Sequence, residues 1–131
     1  METQKIKSLS DKRLIIEGKI NDKKCLVLLD TGASVSLLNE DKVREFKIKQ
    51  GRKFNGSLIG AGGEFETSYI SDSFIVIGGK TTTQYIIGNI TSVHDSIMEE
   101  TGLDIDAIMG LPQMKEIAMI IDSGENTIII P

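Results

Sequence analysis

The chain has 131 residues, a length that suits one domain, and a formal net charge of −4. No Lys/Arg cluster interleaves with aromatics, which argues against nucleic acid, and the apolar runs fall far short of the ~20 residues of a membrane helix. One cysteine forbids an internal disulfide, and 40% hydrophobic content with only 5% aromatics requires an aliphatic core, which favours strands.

Residues 1–11 read as an extended N-terminal segment of a single domain spanning 1–131. Their start, Met1-Glu2-Thr3-Gln4-Lys5, lacks an apolar signal stretch. The expected location is therefore cytoplasmic for the chain as given, and exported if it is a trimmed piece. Residues 13–20 and 24–29 read as strands joined by the turn residues Asn21-Asp22-Lys23. Cys25 reads as a semi-buried structural thiol. The second strand runs straight into Asp30. Val35, Leu37 and Leu38 continue as a strand, and Asn39 is placed to cap a short helix over 40–46, with Val43 and Phe46 facing inward.

Residues 51–59 form a weaker strand region that ends at the loop tip Gly60-Ala61-Gly62-Gly63, and 64–70 return from it. The glycines fit no phosphate-binding spacing. Residues 73–77 and 81–87 form a hairpin about Gly78-Gly79-Lys80. Thr91 or Ser92 is expected to cap a helix over 93–101 with Gly102 at its C′ position, and Ile97, Met98 and Leu103 on the buried side. Glu99 and Glu100 fall in its last turn, where the helix dipole disfavours acids, and solvent exposure is the one reason the sequence offers. His94 and Asp95 read as part of the first turn; one histidine and one cysteine leave too few ligands for a metal, so no cofactor is expected. Ala107, Ile108 and Met109 make a short buried strand ended by Gly110, and Pro112 suits the first turn of a brief helix through 116. Residues 117–121 and 127–130 close the chain as a hairpin around residues 122–126.

One stretch carries chemistry. Leu26-Val27-Leu28-Leu29 delivers Asp30 onto Thr31-Gly32-Ala33-Ser34. An acid at the mouth of a buried strand is costly unless bonded, paired or functional. This segment resembles the active-site loop of aspartic proteases of the retropepsin type. Ile59-Gly60-Ala61-Gly62-Gly63 resembles the glycine-rich flap tip of that family, Ile108-Met109-Gly110 its hydrophobic-Gly element beneath the catalytic loop, and residues 117–130 its closing hairpin. The resemblance spans roughly residues 12–130 and implies an all-β, closed or partly open acid-protease barrel with one or two short helices. The chain resembles bacterial and cellular members more than compact viral enzymes, because the helix near residue 93 enlarges it. Ala61 departs from the branched aliphatic that many members carry at the flap tip.

Acid-protease chemistry needs two carboxyls sharing one proton. Asp122-Ser123-Gly124 looks like a second motif, but seven residues follow it and the sequence there is turn chemistry. The remaining route is a homodimer in which Asp30 meets its own copy. The resemblance then implies that Thr31 braces the partner's loop, that Gly32 lets the loops approach, and that the flaps fold over an extended peptide substrate. Ala33 stands where bilobed pepsin-like relatives carry Ser or Thr, which implies a working pH nearer neutral than theirs. The exposed apolar edge expected at Thr127-Ile128-Ile129-Ile130 is a candidate dimer strand. Two alternatives stay open: a non-catalytic retropepsin-like domain that binds peptides or scaffolds partners, and a chance Asp-Thr-Gly turn in another β-barrel.

Overall fold

A computed structural model describes residues 3–54 and 68–131. The elements in chain order are β1 (Gln4–Lys7), β2 (Ile15–Ile20), β3 (Lys23–Leu29) and β4 (Ser36–Asn39). A 3-10 turn (Glu40–Lys42) leads into α1 (Val43–Phe46). β5 (Gln50–Lys53), β6 (Tyr69–Ser71), β7 (Ile75–Ile77), β8 (Lys80–Thr82) and β9 (Tyr85–Gly88) follow. α2 (Thr91–Thr101), β10 (Ala107–Met109), α3 (Leu111–Glu116), β11 (Ile120–Asp122) and β12 (Thr127–Ile130) complete the chain. Among the described residues, nine strands form one curled half-barrel sheet in the order β5-β6-β9-β4-β10-β3-β2-β7-β8, and three form a second in the order β1-β12-β11. No helix of the described residues is long and apolar enough to cross a membrane.

The β2–β3 hairpin turns on Asn21 and Asp22, both at positive φ (49° and 65°), so a two-residue turn suffices and Lys23 joins the strand. The apolar run 26–29 is continuous because β3 is covered on both faces. Val27 and Leu29 enter the main core with Ile16, Leu38, Met109 and Tyr85. Leu28 faces the other way, with Ile15 and Ile108, beneath α2. Cys25 lies fully inside the main core, and burial first, then the charge of Asp106, pushes its thiol up to about 12.

The short helix after β4 has the expected cap: Asn39 Oδ1 accepts the Asp41 N–H at 2.9 Å, and Phe46 is buried. α2 starts two residues earlier than expected. Neither Thr91 nor Ser92 caps it; Asn89 Oδ1 accepts the Thr91 N–H instead. Gly102 ends it in the left-handed region, as read from sequence, and Ile97 is buried, but Met98 is turned outward.

Two further expectations are corrected. Residues 81–87 are two strands, not one, because the chain breaks at Thr83 and Gln84. Gln84 has a φ of 68°, and the Gln113 side-chain amide donates to both carbonyls of the break, at 2.9 and 3.3 Å. The segment 127–130 offers no free edge: β12 is the central strand of its sheet, paired with β1 on one side and β11 on the other, and its Ile128 and Ile130 are buried. The outer strand on the other side of β12, among the described residues, is β11, whose Ile120 is 52% exposed.

Candidate active site

Asp30 sits where β3 ends, and the chain returns from it as β4. β10 inserts between these two strands, parallel to β3 and antiparallel to β4. The loop 30–35 therefore straddles the end of β10 and is tied to it at both ends. The Asp30 N–H donates to Met109 O at 2.9 Å, and the Leu111 N–H donates to Ala33 O at 3.0 Å. Inside the loop the Ala33 N–H donates to Asp30 O at 3.1 Å, and the Gly32 N–H donates to Asp30 Oδ1 at 3.0 Å. One carboxylate oxygen is thus held by the loop's own backbone while the side chain as a whole stays exposed. An added Cβ on Gly32 would meet that same oxygen at 3.4 Å, an ordinary contact.

Gly110 is where the loop and the crossing strand come closest. A Cβ there would fall 2.7 Å from both Ala33 O and Val35 O, inside van der Waals contact. The glycine is required by this approach, not by its backbone angles (φ −89°). Its N–H donates to Ser36 Oγ at 2.7 Å, and Ser36 Oγ in turn donates to Gln113 Oε1. Ser36 and Gln113 are both buried. This line from Gly110 through Ser36 and Gln113 to Thr83 and Gln84 ties the loop to the far side of the barrel. Sequence reasoning missed it: a serine and a glutamine 77 residues apart carry no local signal.

A second support lies behind β3. Asp106 Oδ2 accepts the Leu26 N–H and the Asp106 N–H donates to Leu26 O, both at 2.8 Å. Lys42 Nζ lies 2.9 Å from Asp106 Oδ1 and 2.8 Å from Asp104 Oδ2, and His94 Nε2 is 2.6 Å from Asp104 Oδ1. Burial raises the Asp106 pKa, opposed by the Leu26 N–H and Lys42. Burial pulls Lys42 down, but its two carboxylate partners outweigh it and hold the ammonium above its usual value. The cluster fastens the start of α2 to the strand that carries Asp30. The other end of α2 is fastened by Arg13, whose Nε and Nη2 donate to Glu100 at 3.1 and 3.2 Å, while Lys12 Nζ donates to Glu100 O. Those cations explain an acid in the last turn of the helix. His94 and its carboxylates belong to this cluster, and the described residues contain no group of His, Cys, Asp and Glu able to hold a metal.

The expected loop residues thus come together: Asp30, Thr31, Gly32 and Ala33 lie directly over Ile108, Met109 and Gly110. The flap residues Ile59, Gly60, Ala61, Gly62 and Gly63 lie outside the described residues. Cavities flank the loop on both sides. One, of about 320 Å³, opens beside Asp30 under α2. The other, of about 360 Å³, lies past Thr31 against Leu111, Pro112 and Lys115.

A half-barrel that hangs an exposed Asp-Thr-Gly loop over a crossing strand defines a retropepsin-like protein. The aspartyl protease family profile matches residues 16–113, and the chain belongs to that family. Among solved structures, the EIAV protease complexed with the inhibitor HBY-793 is similar over 89% of this chain and 99% of its own, with 24% identity and a TM-score of 0.62. A retropepsin-like aspartic protease from Rickettsia conorii is similar over 98% of this chain and 89% of its own (20% identity, TM-score 0.60). The retroviral protease-like domain of Ddi1 from Leishmania major matches over 90% of this chain and 87% of its own, with 17% identity and a TM-score of 0.57. These likenesses establish the fold. No curated protein matches the sequence significantly.

Proposed function

We propose that the chain is an aspartic endopeptidase that works as a homodimer, hydrolysing peptide bonds with a water activated between two copies of Asp30. Family and fold support a peptidase. The observation that carries the finer reading is an exposed carboxylate at a strand crossing, its loop tied down by backbone bonds and one of its oxygens held by the Gly32 N–H. Two such groups about 3 Å apart share one proton. The charged member takes a proton from water, and the neutral member donates a hydrogen bond to the substrate carbonyl. The tetrahedral intermediate forms without a covalent acyl-enzyme. No cofactor enters this chemistry.

Pairing is supported by β11, an outer strand of its sheet among the described residues with Ile120 exposed, and by the apolar surface beside the loop, where Leu111 is exposed. The substrate would be an extended peptide, held by strand-like backbone pairing. A second reading, a peptide-binding domain without catalysis, is favoured by one observation: the chain carries a single loop of this kind, so a lone protomer holds half a site. One experiment decides. Sedimentation at micromolar concentration reads pairing, and a library of extended peptides is incubated with wild type and Asp30→Asn. Cleavage that depends on the carboxyl supports the protease; a chain that binds peptides without cutting them is the second reading.

A further inference from the structure

α2 covers the outer face of the large sheet where β3 nears Asp30: Ile15 and Leu28, directly opposite each other, are buried beneath it. Toward the β2–β3 turn the same face lies open. Lys24, Lys19, Val76 and Thr81 stand opposite one another in a row across β3, β2, β7 and β8, and none of them is buried. In the segment that enters β7, Asp72, Phe74 and Val76 point outward, alternating with the buried Ser71, Ser73, Ile75 and Ile77, and Phe74 is 49% exposed. Hydrogen bonds bring two more cations alongside. The Lys49 N–H donates to Oγ of Ser73, the residue before Phe74, and Asn21 Nδ2 donates to Lys47 O at 3.2 Å and to Ser73 Oγ at 3.5 Å. Lys24 precedes Asp30 by the length of β3, so this row stands about 20 Å from the catalytic loop.

We propose that this face, centred on Phe74, docks an acidic segment of a partner protein that also carries an apolar side chain. The site stands whether or not Asp30 is catalytic. Charge complementarity names the partner. The chain as a whole is −4, yet residues 44–53 hold five lysines and arginines and one acid, Glu45, which lies 3.9 Å from Lys23. Lys19 and Lys24 are like charges set directly opposite, which destabilises a sheet. Glu17 relieves Lys24 at 3.1 Å, but no carboxylate of the described residues pairs with Lys19, Lys47 or Lys49. Asp72, the acid next to this patch, is turned toward β5: a Cβ on Gly51 would meet its Oδ1 at 2.5 Å. A carboxylate laid beside Lys19 and Lys49 therefore meets cations that the fold leaves without an acid, and an apolar side chain next to it covers the exposed ring of Phe74. A basic segment is repelled at the same place.

The probe is a short fluorescein-labelled peptide in which one phenylalanine is flanked by glutamates, titrated onto the full chain and followed by anisotropy. Replacing its glutamates by glutamines, or its phenylalanine by serine, is expected to weaken binding about tenfold in each case, the scale of two exposed ion pairs or one ring contact. The double variant Lys19→Gln, Lys49→Gln should erase the advantage of glutamate over glutamine, and Phe74→Ser that of phenylalanine over serine while keeping the glutamate advantage. All three positions are exposed, and circular dichroism checks that the variants fold. Asp30→Asn should bind the probe as wild type does. No saturable binding, or binding indifferent to these lysines and to Phe74, overturns the proposal. Binding that is lost in Asp30→Asn but kept in the lysine variant places the peptide at the catalytic loop and overturns it too. An oligouridylate that binds more tightly than the peptide and ignores Phe74→Ser would make the face a general polyanion site, and the assignment to a protein partner would fall.

Discussion

Gly110 passes so close beneath Ala33 that the space for a Cβ is already occupied by a backbone oxygen. That contact sets the height of the Asp30 loop above β10, and Gly110→Ala tests it. A methyl 2.7 Å from two carbonyl oxygens must push the loop or the strand away. Overpacking of this kind costs about 1–3 kcal/mol. The expected outcome is a lower urea midpoint together with a fall in peptide cleavage larger than the stability loss explains, because the Asp30 N–H bond to Met109 O is displaced too. Unchanged activity in a destabilised protein would show that the loop's height is not critical.

Asp30→Asn keeps the shape of the side chain and its bond from the Gly32 N–H, but removes the shared proton. General acid–base catalysis contributes about 10²–10⁴ in rate. Peptide cleavage is expected to drop by at least that factor, with thermal stability little changed because the side chain is exposed. Mass spectrometry of digests from wild type and variant makes the comparison. Equal product from both would place the chemistry elsewhere.

The line from Ser36 to Gln113 lends itself to a separate test. Gln113→Leu preserves bulk but withdraws the donor from Thr83 O and Gln84 O and the acceptor from Ser36. Buried polar groups left unpaired cost about 1–3 kcal/mol. Chemical denaturation should show that loss; a shift well under 1 kcal/mol would mean that water replaces the amide.

Much of this architecture was legible because it is local. The Asn21-Asp22 turn, the Asn39 cap, the Gly102 stop and the Asp30 loop each announce themselves within a few residues. What escaped the sequence depends on distant partners. The break at Thr83 and Gln84 is held by Gln113, and Glu116 Oε1 accepts the Thr83 N–H. Glu100 looks unfavourable at the end of α2 until Arg13 and Lys12 arrive from the other end of the chain. Met98 follows Ile97 directly, and a helix cannot turn two consecutive residues onto one narrow face. The apolar segment 127–130 looks like an edge only if β1 is not counted; residues 4–7, read as part of an extended N-terminal segment, cover it.

That last correction moves the expected dimer contact from β12 to β11. Ile120→Lys places a charge on the exposed face of that outer strand and should weaken association by tenfold or more in sedimentation equilibrium. As a surface change it should alter stability by no more than about 0.5 kcal/mol. Ile128→Ala, by contrast, empties a fully buried site and should cost about 2–5 kcal/mol. Association unaffected by Ile120→Lys would put the contact surface elsewhere on the protomer.

The cluster under α2 predicts a pH window. Bonds to Asp104 first, then to Asp95, hold His94 above its ordinary 6.5. A group whose pKa rises on folding contributes stability that is complete below the unfolded value and lost as pH climbs through the folded one. Asp104 has the opposite sign: Lys42 first, then His94, hold it below 3.8, so its contribution is complete above 3.8 and lost as pH falls through the lowered value. Both contributions are therefore fully present between those two ordinary values, and on the alkaline side the His94 part decays. His94→Gln should flatten the decline in Tm as pH rises above 6.5 while leaving the acid limb largely in place. Because His94 is the only histidine, its ring protons can be followed by NMR without ambiguity. A titration midpoint at or below 6.5 would mean that the Asp104 contact does not persist in solution, and that α2 is held chiefly by Arg13 and the apolar packing of Ile97.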